Sequence, residues 1–158
     1  MSAIGGVIGW LGRQERGGLL TLPWYLLVMF DISSVLVEIQ RRYAVDWEGQ
    51  APTEADLLAW SGGSGQALAL LYDQIATKLA VGYHERRFSF EFCDEIVNHL
   101  YGMMIEQQAG GSPPPWPTLF FQVFEAFDAG EFASPNLPTH DPVKTNTDPE
   151  IAEIVRKL

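Results

Sequence analysis

The stretch RRFSFEFCDEIVNHLYGMMIEQQ, residues 86–108, admits two readings, and the choice between them decides the fold class. Its opening, F-S-F-E-F, alternates apolar and polar residues as a half-buried strand does. From there Phe90, Cys93, Ile96, Val97, Leu100 and Met104 recur at spacings of three and four, the stripe of one buried helix face. Ser89 stands where an N-cap belongs, and Gly110-Gly111 with SPPPWP (112–117) closes the pattern. The stripe outlasts the alternation, so a helix is expected over 90–108.

The same periodicity extends in both directions. A first helix is expected over 22–43, capped by Thr21, with Leu22, Leu26, Met29, Ile32, Leu36, Ile39 and Tyr43 on one face and Arg41-Arg42 at its C-terminal end. Thr53 and Asp56 resemble a capping box opening a short helix that SGGSG (61–65) breaks. A helix over 66–81 follows, with Gly82 as its stop, and another from Pro117 or Thr118, with Gly130 as its stop. Pro135, Pro138 and Pro142 suggest an irregular loop near 131–147, and a last short helix begins near Pro149, capped by Thr147 or Asp148. No segment sustains β alternation and nothing repeats. The expectation is an all-α, single-domain bundle of five to six helices over 19–158, preceded by a loose extension over 1–18 that carries six glycines. A domain start near Met29 is the alternative.

The chain has 158 residues, enough for one core, with 20 acidic and 10 basic residues and a net charge of −10. That sign disfavours nucleic acid and anionic membranes and favours a basic protein partner. Cys93 is the only cysteine, which points to a reducing, cytoplasmic setting and, on an apolar stripe, to a packing role. The apolar run GLLTLPWYLLVMF (18–30) is shorter than the roughly 20 residues a spanning helix needs. An adaptor whose N-terminus touches a membrane is therefore only a rival reading. Asp31, after this run, is either buried beside an arginine or exposed.

No motif fixes an enzymatic chemistry. SGGSGQAL lacks the Lys-Ser/Thr ending of a phosphate loop, no serine sits in a G-x-S-x-G setting, and His84, His99 and His140 are scattered. No catalytic residue and no cofactor is expected. The rival is a small helical metal-binding enzyme using Glu95 and His99, four apart, with Asp128 and Glu131.

Charge is unevenly spread. Residues 88–155 hold eleven acids and one base, whereas the remainder is balanced. Like charges at helical neighbour spacing, such as Glu91/Asp94/Glu95, cost a few tenths of a kcal/mol per pair. In EAFDAGEF (125–132), Gly130 as a stop would place Glu131 beyond the helix that carries Glu125 and Asp128.

Three segments, FSFEFCDEIVNHLYG (88–102), LFFQVFEAFDAGEF (119–132) and DPVKTNTDPEIAEIV (141–155), resemble small acidic immunity proteins of bacterial toxin–immunity systems, including contact-dependent growth inhibition. The resemblance covers the C-terminal half. It implies binding and blocking of a basic toxin domain, often a nuclease, and no catalysis. The partner-binding residues expected on this basis are Glu91, Asp94, Glu95, Glu125, Asp128, Glu131 and Asp141, with Phe132 or Trp116 as an aromatic anchor.

Overall fold

The computed structural model describes residues 31–132 and 141–158. Six α-helices are found among them and no strand: α1 (Ile32–Gln50), α2 (Glu54–Ser61), α3 (Gly65–His84), α4 (Phe90–Gln108), α5 (Thr118–Glu131) and α6 (Asp148–Lys157). A single π-helical turn, Val143–Thr147, runs directly into α6. The bundle is all-α, as the periodicity implies. The apolar run over 18–30 and the glycine-rich opening lie outside the described residues, and no described helix is long and apolar enough to cross a membrane.

Helix α3 is the hub, packing against α1, α2, α4, α5 and α6. Its stripe of Leu68, Leu71, Tyr72, Ile75 and Leu79 is buried, as are Cys93, Ile96, Val97, Leu100 and Met104 of α4 and Phe120, Val123 and Phe127 of α5. The Cys93 thiol points at the Leu79 carbonyl, and burial pushes its pKa up, which suits packing and not nucleophilic chemistry.

The caps explain where most helices begin. Thr53 and Asp56 form the capping box on α2, Ser64 accepts from the Ala67 N–H, and Ser89 accepts from the Phe92 N–H. Helix α5 begins after Pro117 and has no cap of its own. The Asp73 carboxylate of α3 fills that role, accepting from the Phe120 N–H at 2.9 Å. Asp31 is the exposed N-cap of α1, accepting from the Ser33 N–H. That removes the buried alternative and the uninterrupted helix over 22–43. Arg41 and Arg42 pair with Glu38 instead of merely facing the helix end, and Arg42 also reaches Asp56 of α2 through two hydrogen bonds.

Two glycines read as stops are not stops. Helix α3 runs through Gly82 to His84 and turns at Arg86, which takes φ 59°. Helix α5 runs through Gly130 to Glu131. Both glycines are buried because each receives an aromatic ring: a Cβ at Gly82 would strike Phe88, and one at Gly130 would strike Phe90 and the Thr147 hydroxyl. The alternation in F-S-F thus sends Phe88 to α3 and Phe90 to α5, with the capping Ser89 between them. The expected loop is also shorter at both ends. Glu131 is helical, and the helical path resumes at Pro142, where Asp141 accepts from the Val143 N–H. Thr147 is helical and fully buried, so it caps nothing through its side chain.

Filling either notch should be costly. Gly130→Ala and Gly82→Ala are each expected to destabilise the chain by about 1–3 kcal/mol in urea denaturation, by overpacking. Were these glycines ordinary mid-helix residues, Ala would stabilise instead.

Candidate functional site

Helices α4 and α5 run antiparallel. The side of α4 carrying Asp94, Asn98, Tyr101 and Ile105 meets the side of α5 carrying Phe121, Phe124, Asp128 and Glu131. At one end of this seam Asn98 Nδ2 donates to Glu131 Oε1 at 2.7 Å. The Asp94 carboxyl is pushed up to about 7, first by burial and then by the neighbouring Glu131 carboxyl; Asp128 and Glu95 add to the effect. Half-buried beside the Glu131 carboxyl, Asp94 therefore keeps its proton into the lower part of the neutral range. The Asp94 Oδ1 atom is buried and has no partner among the described residues.

The structure therefore brings Asp94, Asp128 and Glu131 together and disperses the other expected partner-binding residues. Glu91 and Glu95 lie on the α1 side of α4, where burial first and then both carboxyls raise the pKa of Tyr43. Glu125 lines a shallow recess against α6 with Gln122 and Glu153. Asp141 is engaged in its own turn and with Lys144 Nζ at 3.2 Å. Phe132 projects from the acidic end of α5 and is 67% exposed, whereas Trp116 stands at the other end.

Continuation of α5 through Gly130 puts Glu131 one turn beyond Asp128, on the strip that faces Asp94. The Asp94–Glu131 contact was missed from the sequence because the cross-helix register depends on the path of 109–117.

The expected charge imbalance also narrows. Arg86 pairs with Asp148, and Arg156 and Lys157 pair with Glu153, so bases just outside 88–155 neutralise acids within it. Among the described residues no ion pair involves any carboxylate of α4 or α5, which together carry seven acids and no base.

A carboxyl raised by burial and by neighbouring acids is also what acid–base catalysis uses. Here the pair lies along a helix seam, while a cleft of about 720 Å3 is lined by other residues, including Glu48, Glu54, His99 and Glu106. His99 Nε2 is bonded to the Pro52 carbonyl oxygen at 2.7 Å, and its ring meets Trp47 edge-on, so it anchors α4 to the turn before α2. No three His, Cys, Asp or Glu side chains among the described residues are placed to hold a metal ion.

No protein-family model matches this chain, and neither does any curated protein or solved structure.

The raised Asp94 carboxyl has a measurable consequence. Asp94 has a folded-state pKa near 7 against 3.8 for the free side chain, so between those values the native chain holds a proton that the unfolded chain has released. Stability should fall as pH rises through that window, by on the order of 1–2 kcal/mol after discounting for partial exposure, and flatten above it. Asp73, raised by burial despite its backbone donors, acts in the same direction. Glu38 and Glu153, held near 2 by their arginines, lose their contribution only in stronger acid. Urea denaturation at about pH 5 and about pH 8 checks this. Asp94→Asn should flatten the slope and raise stability at the higher pH, and an unchanged slope would refute the assignment.

Proposed function

We propose that this chain is a binding protein that recognises a basic protein and blocks it, in the manner of the immunity proteins its C-terminal half resembles. The observation that carries the reading is the unpaired charge of α4 and α5. Six of the twelve described acids outside them are met by bases of the same chain, as in Arg42 with Asp56 or Arg86 with Asp148, yet none of the seven on these two helices is. Asp94 is even held beside Glu131, where burial and the neighbouring acids oppose its ionisation. A folded chain gains nothing from that arrangement, whereas a Lys- or Arg-rich partner does. The acids steer and select the partner, and a basic toxin domain such as a nuclease has the fitting charge. Binding of nucleic acid by this face is opposed by the same charge.

The reading is tested by charge reversal. Asp128→Lys with Glu131→Lys should lower the association rate for a basic partner retained from bacterial lysate by at least about tenfold at low salt. It should also remove most of the salt dependence, as measured by surface plasmon resonance. Equal rates and salt slopes for the two chains would contradict the proposal. Relief of like-charge repulsion should leave the thermal midpoint of the reversed chain no lower than that of the parent.

A further inference from the structure

The carboxylates of the seam do not stand alone. Away from Glu131, the seam is closed by a run of aromatic rings. Tyr101 lies flat on Phe124, with centroids 3.8 Å apart and planes within 10°. Phe121 borders both, and Trp116 meets Phe121 edge-on at 5.3 Å. These rings are not sealed into the core. Tyr101, Phe121 and Phe124 are half-buried, Trp116 is 44% exposed and Ile105, one turn on from Tyr101, is 40% exposed. One face thus carries an apolar ladder that passes into an acidic end.

Gly102 lies beside this ladder in the middle of α4. A mid-helix glycine costs roughly 0.5–1 kcal/mol relative to alanine. Gly82 and Gly130 recover that cost by admitting a ring, but a Cβ at Gly102 would meet nothing within 4 Å. Nothing among the described residues requires glycine there, whereas the close approach of another backbone would.

Building on the functional reading above, we infer that the α4/α5 face docks an amphipathic basic helix of the partner protein. Its apolar side lies on the Trp116–Phe121–Tyr101–Phe124 ladder and its backbone passes close to Gly102. A Lys or Arg at one end reaches Asp128 and Glu131. Charge complementarity selects this occupant over a second copy of the chain, which would bring acid against acid. The ladder supplies holding energy and the carboxylates fix the direction in which the helix lies.

The test uses the full chain and an 18-residue amphipathic helix made of leucine and lysine, followed by 15N chemical-shift mapping and fluorescence anisotropy. Shifts confined to 98–105 and 116–131 are expected. Trp116→Ala and Ile105→Ala should each weaken binding about fivefold or more, without lowering Tm. Gly102→Ala should raise Tm and yet weaken binding, a pair of effects that a purely structural glycine does not give. Val37→Ala and Val45→Ala, on the exposed side of α1, should leave affinity unchanged. Shifts centred on another face, or on self-association, overturn this inference and leave the acidic-partner reading standing. No binding of the lysine peptide at low salt, together with no salt-sensitive basic partner, overturns both.

Discussion

Phe88, Ser89 and Phe90 set the geometry on which the rest depends. The serine hydroxyl caps α4, and the rings on either side enter notches left by Gly82 and Gly130. Three helices are thereby fixed to one another through three consecutive residues. The contact at Gly130 brings α5 close enough to α4 for Asn98 to reach Glu131, and it also holds the buried Thr147 of the turn entering α6. Asp73 secures the far end of α5 by capping it from α3. With both ends pinned, α5 cannot slide along α4, and the alignment of Tyr101 with Phe124 and of Asp94 with Glu131 follows.

That alignment has an electrostatic cost and a chemical use. Several carboxylates of this chain are settled by neighbours: Glu38 by Arg41 and Arg42, Glu153 by Arg156 and Lys157, and Asp56 by Arg42 and the Thr53 backbone. Asp94 has no such partner and keeps its proton instead. Burial and like charge act together there, and the result is a group that titrates near neutrality on an acidic face. In the complex proposed above, a cation of the partner arriving at this end would displace the proton and take its place. The aromatic ladder next to it would give the same partner an apolar surface, so that charge would select it and ring contact retain it.

Helix stripes and caps were legible because they are local. Thr53 with Asp56, Ser89, and the spacing of Cys93, Ile96, Leu100 and Met104 declare themselves within a few residues, and the all-α class follows from them. The two notch glycines were misread because glycine has two physical uses, freedom at positive φ and absence of a Cβ, and only the tertiary neighbour tells which one applies. At the end of α3 positive φ falls instead on Arg86, which local rules do not favour. The seven acids of α4 and α5 were visible as a count, but their neutralisation could not be judged. Arg86, Arg156 and Lys157, which pair with the other acids of the C-terminal half, lie just beyond the window in which the excess was counted. Ring stacking between Tyr101 and Phe124 depends on register across a proline-rich turn, which no spacing rule supplies.

Proton release is the most direct probe of the proposal that a cation docks where Asp94 keeps its proton beside Glu131. Titration calorimetry with the lysine–leucine helix, repeated near neutral pH in buffers of different ionisation enthalpy, counts the protons that leave on binding. Release of a measurable fraction of a proton per complex, abolished in Asp94→Asn, is the predicted result. A binding heat independent of the buffer would show that the docked cation never meets this pair, and would contradict the account.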